Sequence, residues 1–374
     1  MRALSDAPPH ILITTDAVGG VWAHAIDLAG ALAADGRRIT LAVLGPGLDA
    51  ARRAEAAQIP GMALIDTGLP LDWLAAEEAE ILQAGRALAA TAARCGADIV
   101  QLNSPALAAA ARFPCPVVGV CHSCLPTWWE AVRSGPMPAD FAWRGGLLRR
   151  GYAACDALVA PSGAFAAATA RAHALAAPPD VVWNGRVAGP SASGMASFAF
   201  TAGRLWDDGK DLATLDRAAA QLDLPVLAAG ARRGPNGAAI TFAALRCLGA
   251  LETGAVQQML ARGPIFVSTA RYEPFGLAVL EAAQAGCALV LSDIPTFREL
   301  WDGAACFVAP GDADGFAVAV MMLSRDQEQR RSLCVAGRRR ARRFTAQAMA
   351  TGMARIHARL LAARTAGRGR NVAA

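Results

Sequence analysis

Short apolar runs alternate with Ala/Leu-rich helical stretches through the first half of the chain. The runs are continuous rather than alternating, which is typical of strands covered on both faces, and intervening helices favour parallel pairing. The predicted strands are 10–15, 38–45, 97–102, 116–122, 155–160 and 181–183, and a helix is predicted over 21–34. This pattern predicts a doubly wound, Rossmann-like α/β domain.

The pattern breaks at residues 185–197, GRVAGPSASGMAS, which are rich in Gly, Ser and Pro and have no periodicity. Such a segment indicates a linker. Beyond it the alternation resumes, with strands predicted over 198–203, 225–230, 247–251, 264–269, 288–293 and 306–310. The second domain is therefore also predicted to be parallel α/β, and a long Arg-rich helical segment follows Phe316. Two such domains in tandem normally form a cleft at the carboxyl ends of their strands.

Composition agrees with a folded, two-domain protein. The chain has 374 residues, with 54% hydrophobic and 18% charged, which is longer than one hydrophobic core usually supports and unlike a disordered chain. Charges or Pro/Gly interrupt each apolar run before the roughly 18 residues that a membrane span needs. The opening MRALSDAPPH lacks an apolar segment, so we expect no signal peptide and a cytoplasmic location.

The nine cysteines have no framework spacing, and we expect buried, reduced thiols. Cys121 and Cys124 form a lone Cys-x-x-Cys without a second ligand pair, so the sequence favours no metal site there.

Positive charge is concentrated at the C-terminus. From Arg325 onward there are thirteen arginines and two acids, a net charge of +11 within a chain of +5. The simpler interpretation is a pair of solvated helices. The alternative is attraction to an anionic ligand or to anionic lipid, which would place the protein peripherally at the inner membrane face. Nucleic acid is disfavoured, because no DNA-binding motif accompanies the charge.

Candidate chemistry lies just after predicted strands. Gly19 and Gly20 stand where the first strand turns into a helix, so their backbone amides could approach an anion closely. A tight strand-to-helix turn would also explain two glycines, and the Gly-x-Gly-x-x-Gly dinucleotide fingerprint is absent.

The second domain begins with a pair of cations, Arg204 just after a strand and Lys210 six residues later. Lys210 is the single lysine of the chain, which suggests that a compact point charge is needed there. Two cations at a strand end suit a diphosphate, although a solvated loop lysine is the alternative.

Two glutamates, eight positions apart, lie within the sequence RYEPFGLAVLEAAQAG, residues 271–286. Glu273 is predicted in the strand-to-helix loop, and Glu281 in a helix over 277–285 that ends at Gly286. Carboxylates accept hydrogen bonds from sugar hydroxyls, so the pair could contact different parts of one ligand. Alternatively, Glu273 is an acid at a helix N-terminus and Glu281 a surface charge.

Together these motifs resemble glycosyltransferase family 4, of the retaining GT-B class, from Ile11 to about Phe344. The most specific element is Glu273-Pro-Phe-Gly-Leu followed by Leu280-Glu-Ala-x-x-x-Gly286. The other matching elements are Gly19-Gly20, His122, Asn184-Gly185, Gly203-Arg204 with Lys210, and Gly230 with Gly234-Pro235. One departure follows Asn184-Gly185, where the family often has a hydrophobic residue and an acid and this chain has Arg186 and Val187.

The resemblance implies a role for each matched position. Arg204 and Lys210 would hold the donor diphosphate and stabilise it as it leaves, Glu281 would bind the nucleotide ribose, and Glu273 would contact the transferred sugar. The remaining implied contacts are His122 beside that sugar, the backbone of Phe275, Gly276 and Leu277 at the phosphates or sugar, Gly230 at the donor, and Gly19-Gly20 near phosphate and acceptor. No metal is implied, which agrees with an expected absence of Asp-x-Asp from the cleft loops.

The resemblance also implies a domain division. Residues 1–187 would form the acceptor-binding domain, 188–344 the nucleotide-sugar-binding domain, and 345–374 a helix that packs back toward the first domain with a basic tail. The function expected is metal-independent transfer of a hexose from a UDP- or GDP-linked sugar to an alcohol, as in polysaccharide or glycolipid biosynthesis.

Two other functions stay open at this point: a nucleotide-sugar epimerase and a non-catalytic sugar-binding protein. The acceptor is not identified and could be a glycan, a lipid-linked molecule or a small molecule. Tryptophans at positions 22, 73, 128 and 129 could stack on a sugar ring or could pack in the core.

Overall fold

The computed structural model describes residues 8–17 and 19–372. Residues 1–7, on which the signal-peptide expectation largely rests, lie outside the described residues. Across these residues the chain forms two parallel sheets, one of seven strands and one of six, each with helices on both faces. The predicted fold class, two doubly wound domains, is confirmed.

The first sheet has the strand order β3-β2-β1-β4-β5-β6-β7. Its strands are β1 (His10–Asp16), β2 (Arg38–Leu44), β3 (Ala63–Asp66), β4 (Ile99–Leu102), β5 (Val117–Val120), β6 (Ala157–Ala160) and β7 (Asp180–Val181). Alternate residues of β1 enter opposite cores, since Ile11 and Ile13 belong to one apolar cluster and Leu12 to the other. Burial on both faces is why these strands have continuous apolar sequences.

The described residues of the first domain also form six α-helices and a 3₁₀ turn at Pro105–Ala108. The helices are α1 (Gly20–Ala34), α2 (Ala50–Ala57), α3 (Glu78–Cys95), α4 (Leu125–Val132), α5 (Ala139–Ala154) and α6 (Gly163–His173).

The second sheet has the order β10-β9-β8-β11-β12-β13. Its strands are β8 (Ala199–Ala202), β9 (Val226–Ala229), β10 (Arg246–Gly249), β11 (Ile265–Ser268), β12 (Ala288–Ser292) and β13 (Cys306–Val308). Its helices are α7 (Leu212–Ala219), α8 (Thr253–Leu260), α9 (Leu277–Ala285), α10 (Pro295–Trp301), α11 (Ala313–Arg325) and α12 (Gln327–Ala341), with a 3₁₀ turn at Asp208–Lys210.

The last helix, α13 (Ala346–Val372), returns to the first domain and packs on α1. Met349, Ala350, Met353 and Ile356 are buried in the same cluster as the outer face of β1 and the apolar side of α1. The chain therefore passes between the domains twice, near Arg186 and near Thr345.

The sequence analysis missed one strand and placed another incorrectly. Strand β3 lies at the edge of the sheet, and its four residues are partly or fully exposed, so it lacks the continuous apolar run that marks the other strands. Strand β7 covers Asp180–Val181 rather than 181–183, because it pairs with β6 through only two residues.

Candidate functional site

Arg204 and Lys210 lie beyond the carboxyl end of β8, and each has an acidic partner. Arg204 Nη2 donates to Asp207 Oδ2 at 2.8 Å, and Lys210 Nζ forms an ion pair with Glu273. The Arg204 side chain is 43% exposed, whereas Asp207 beneath it is 11% exposed. Arg204 is therefore held at its base and presents its guanidinium to the cleft.

Asp207 is charged at neutral pH despite its burial. Burial by itself favours its protonation, but the nearby Arg204 and Lys210 outweigh that effect, so the pKa of Asp207 is lowered. For Arg204, burial likewise opposes the charged form, but Asp207 outweighs it and the pKa is raised. Arg204 therefore stays charged at this edge of the cleft across the physiological pH range.

The two loops that carry these charges are tied to each other. Gly209 O accepts hydrogen bonds from Arg271 N at 2.9 Å and Tyr272 N at 3.1 Å. Thr269 Oγ1 donates to Lys210 O and Asp211 O, each at 3.0 Å. Because the backbone holds both loops, Lys210 and Glu273 are positioned before any ligand arrives.

Helix α9 begins beside these charges. Gly276, the residue that caps its N-terminus, has φ +93°, which favours glycine, and a Cβ there would also crowd Phe297 Cε1 at 3.0 Å. Phe275 is buried and stacks edge-on with Phe344 at 5.6 Å. The side chain of Phe275 thus anchors the turn in the core, and the backbone amides at the start of α9 favour an anion.

Gly19 and Gly20 face this edge from the first domain. A Cβ on Gly19 would lie 3.3 Å from Arg204 Nη1, and one on Gly20 would lie 3.5 Å from Leu277 Cδ1. A Cβ at 19 would crowd the guanidinium and one at 20 would make ordinary contact, so the β1–α1 turn lies close to the cation and to the start of α9. The structure brings these sequence-predicted residues together across the cleft.

His122 follows β5 on the first-domain side of the cleft. Its Nε2 lies 3.0 Å from Asn103 Oδ1, and Asn103 Nδ2 donates to Thr14 O at 2.7 Å. Since Asn103 Oδ1 must accept, His122 Nε2 carries the proton and Nδ1 is the acceptor. Burial, and secondarily His24, whose ring is 4.5 Å away, lowers the pKa of His122 well below its ordinary value. His122 is therefore neutral at pH 7.

Gly230 lies at the end of β9, where the neighbouring strand end approaches closely. A Cβ on Gly230 would lie 1.8 Å from Gly203 O, so any side chain would separate the ends of β8 and β9. The geometry therefore supports a packing role for Gly230. Its contact with a donor stays a prediction.

Glu281 is on α9, with its carboxylate beside Arg186, where the chain passes between the domains. Arg186 Nε donates to Glu281 Oε1 at 2.8 Å, and Arg186 Nη1 donates to Asp27 Oδ2 at 2.6 Å. The sequence analysis noted Arg186 only as a departure from a family pattern, and it did not single out Asp27. It also missed Asp207 and Asn103, although Asp207 lies between Arg204 and Lys210 in the sequence.

At the outer end of the cleft, α4 contacts the loops of the second domain. Trp128 Nε1 donates to Asp207 Oδ1 at 3.3 Å, and Tyr272 Oη lies 2.9 Å from Thr127 Oγ1. The other tryptophans differ: Trp22 is 5% exposed and bonds Glu55, Trp129 bonds Gly135 O, and Trp73 is 37% exposed. Trp22 is thus a core residue, and Trp128 helps to close the cleft.

No group of three or more His, Cys, Asp or Glu side chains among the described residues could hold a metal ion. The expected absence of Asp-x-Asp from the cleft loops was wrong, because Asp312-Ala313-Asp314 follows β13. Both acids have structural partners: Asp312 accepts from Gly315 N at 2.9 Å, and Asp314 accepts from Gln221 Nε2 at 2.8 Å. The nine cysteines are all free thiols, and burial raises the pKa of Cys121 to about 12.

Many C-terminal arginines bond backbone carbonyls rather than only water. Arg338 donates to Ala285 O at 2.9 Å, Arg364 to Pro114 O at 2.7 Å, and Arg330 to Ala196 O and Gly263 O, each at 2.8 Å. The interpretation as merely solvated helices was therefore incomplete, because part of this charge fastens α12 and α13 to the domains. Of the helices in the described ranges, none combines the length and apolarity that crossing a membrane would require.

Comparison with known proteins agrees with this geometry. The family model described as Glycosyltransferase Family 4 matches residues 18–186, and the one described as Glycosyl transferases group 1 matches 243–340. The first match includes Gly19, Gly20 and His122, and the second includes Glu273 and α9, while Arg204 and Lys210 lie between the two. The chain belongs to the family 4 type of glycosyltransferases.

Relatives of this glycosyltransferase include a glycogen synthase from Mycobacterium tuberculosis, 35% identical over 119 residues. That alignment covers 30% of this chain and only 28% of the glycogen synthase. Among solved structures, sucrose-phosphate synthase from Thermosynechococcus elongatus has a TM-score of 0.78 at 18% identity, covering 95% of this chain and all of that one. HepE from Anabaena, solved with UDP-glucose, has a TM-score of 0.71 at 19% identity, covering 94% of this chain and 100% of that one. These neighbours establish the GT-B fold.

Proposed function

We propose that this glycosyltransferase moves a hexose from a nucleotide diphosphate sugar to an alcohol with retention of anomeric configuration and without a metal. The observation that carries the proposal is the arrangement of Arg204 and Lys210 at the start of α9, opposite Gly19 and Gly20. Two cations, helix amides and close-approaching glycine backbone suit a diphosphate better than they suit any neutral ligand. The solved neighbour HepE, with bound UDP-glucose, supports UDP as the first donor nucleotide to test.

In the proposed reaction, the bond between the anomeric carbon and the diphosphate oxygen breaks. Positive charge develops on the sugar ring, and negative charge on the diphosphate, where Arg204 and Lys210 stabilise it. Because these cations are already held by Asp207 and Glu273, little reorganisation accompanies the charge development. The acceptor hydroxyl forms the new bond on the face that the diphosphate leaves, and its proton goes to the departing phosphate oxygen.

The sugar itself would lie between Glu273 and His122. Glu273 would accept hydrogen bonds from sugar hydroxyls, while the protonated Nε2 of neutral His122 is already used by Asn103. His122 Nδ1 is then the ring atom that would accept a bond from a sugar hydroxyl. A neutral imidazole adds no positive charge beside the developing cation.

Thermal stability of the wild type and Lys210→Ala with UDP, GDP, ADP and their sugar conjugates tests the proposal. A ligand at about 100 times its Kd adds roughly 2.7 kcal/mol of stability, enough for a clear rise in Tm. We expect one nucleotide to raise the Tm of the wild type and to have little effect on Lys210→Ala. If no nucleotide stabilises the wild type, the diphosphate role of Arg204 and Lys210 is wrong. Turnover by Lys210→Ala should fall about 100- to 1000-fold.

A further inference from the structure

Arg186 lies where the chain crosses between the domains in both directions. Its backbone N donates to Phe344 O at 3.2 Å, and residues 186 and 345 form a parallel bridge. The first crossing leads into the second domain, and the other returns the chain to α13. Arg186 is therefore at the hinge, where a change in the angle between the domains displaces the surrounding atoms least.

The side chain of Arg186 contacts both domains at once. Nη1 donates to Asp27 Oδ2 at 2.6 Å and to Ala23 O at 3.3 Å on α1, while Nε donates to Glu281 Oε1 at 2.8 Å on α9. The exposed fractions are 6% for Arg186, 10% for Asp27 and 18% for Glu281. Ion pairs this shielded from water are geometrically specific, because a misaligned partner leaves a buried charge unsatisfied.

Arg186 uses only one oxygen of Glu281. Among the described residues, Oε1 of Glu281 bonds Arg186, and Oε2 has no hydrogen-bond partner. The cluster also places one guanidinium between two carboxyl side chains, so the arginine is shared and does not use both oxygens of Glu281. An oxygen of this kind is suited to accept from hydroxyl donors, and a vicinal diol offers two.

We propose that Arg186 is a positioning residue for nucleotide recognition, holding Oε1 of Glu281 so that Oε2 is presented to the ribose diol of the donor. This inference rests on the proposed function, in which a nucleotide diphosphate sugar is the donor. Because Asp27 anchors the same guanidinium to the first domain, the ribose contact depends on the relative position of the domains. Nucleotide binding and the hinge angle are thereby coupled through a single side chain.

The test compares Kd values for UDP, GDP and ADP with those of their 2′-deoxy counterparts, measured by calorimetry. A hydrogen bond to a charged group contributes about 1.5 to 3 kcal/mol, so we expect the wild type to prefer the ribonucleotide it binds by about tenfold or more. In Arg186→Met this preference should fall below about threefold, as it should in Glu281→Gln. Arg186→Lys should recover part of the preference.

The matched control is Arg338→Met. Arg338 Nη2 donates to Ala285 O at the end of the same helix, so its loss weakens the attachment of α9 without touching Glu281. Arg338→Met should keep the wild-type preference even if its Tm falls. Should Arg186→Met fail to fold, the double variant Asp27→Asn/Arg186→Met removes one charge of each sign, preserves the net charge of the cluster, and should show the same loss of preference.

The outcomes are distinct. If Arg186→Met binds the ribonucleotide and its 2′-deoxy form equally more weakly, the preference for the ribonucleotide is unchanged. That result overturns the positioning role and leaves Arg186 a structural residue. A wild type that binds a diphosphate without distinguishing its 2′-deoxy form also overturns this inference but not the proposed function. A wild type that binds none of the three nucleotides overturns both.

Discussion

The interface between the two domains is built differently at its two ends. At the hinge end, the charged side chains of Arg186, Asp27 and Glu281 are between 6% and 18% exposed. At the mouth of the cleft, Arg133 on the first domain pairs with Asp208 on the second, and these side chains are 39% and 56% exposed. Both ends contain ion pairs. The buried contacts of Arg186 depend strongly on their geometry. The exposed Arg133–Asp208 pair contributes little to the free energy of unfolding. The charged contacts at the hinge end therefore depend more on the relative position of the domains, and the Arg133–Asp208 pair adds little to holding the mouth closed.

The comparison between the two ends can be tested by mutation. The largest loss of unfolding free energy is expected from Glu299→Ala, near the hinge end. Glu299 on α10 accepts from the backbone N–H groups of Gly163 and Ala164 at 2.9 and 2.7 Å, at the start of α6, and from Trp183 Nε1 at 3.2 Å. Hydrogen bonds to a carboxylate contribute about 1.5 to 3 kcal/mol each and are not additive. We expect urea unfolding to show a loss of about 2 to 4 kcal/mol.

The neighbouring Arg298→Ala is the control for Glu299→Ala. Arg298 pairs with Asp293 and Asp302 on the surface of the second domain and is 46% exposed. Arg298→Ala should lower the unfolding free energy far less than Glu299→Ala does, because solvent screens its ion pairs. If the two variants lose the same free energy of unfolding, contacts near the hinge end contribute no more to stability than ordinary surface contacts.

An intermediate, pH-dependent effect is expected from His357→Leu on α13. His357 is fully buried, neither ring nitrogen has a hydrogen-bond partner among the described residues, and burial, with Arg37, lowers its pKa to about 3. The folded state stays neutral while the unfolded state, with a pKa near 6.5, takes up a proton. Stability is therefore lost as pH falls below about 6.5, by about 2 kcal/mol at pH 5.

The measurement is urea unfolding of the wild type and His357→Leu at pH 7.5 and pH 5. The variant should lose about 2 kcal/mol less than the wild type between these two values. If both proteins lose the same amount, His357 does not contribute to the acid sensitivity of α13.

The smallest effect is expected from Arg133→Ala at the mouth. Arg133 pairs with Asp208 and stacks over Trp128 at 4.9 Å, but it is largely solvated. Unfolding free energy should change by less than about 0.5 kcal/mol, and the change should shrink further at high salt. A loss as large as that of Glu299→Ala would show that the mouth, too, is a fixed part of the interface.

The part of the site that the sequence predicted consists of residues that follow strands directly. Arg204, Lys210 and Glu273 come after β8 and β11, which are neighbours in the sheet, so their approach follows from topology. Glycines 19, 20 and 276 were recognisable because each stands at a strand-to-helix turn. At these positions the local sequence alone predicts where the residue lies in the folded domain.

The hinge cluster could not be predicted in this way. Arg186 meets Asp27 across 159 residues and Glu281 across 95, and nothing in the local pattern around Asp27 marks it as anything but a helix acid. The same holds for Glu299, whose partners are the backbone amides of α6, and for Arg338, whose partner is the last carbonyl of α9. Side chains that bond a distant backbone leave no signal in the sequence, because the partner position can carry almost any residue type.

The return of α13 to the first domain also has a consequence for synthesis on the ribosome. The first domain is translated before the second, yet one face of its sheet and the apolar side of α1 are covered by Met349, Ala350, Met353 and Ile356. Domains usually fold as units in the order in which they emerge. Here the first domain is completed only after the second has been synthesised, and its uncovered apolar face must avoid misassembly until α13 has emerged.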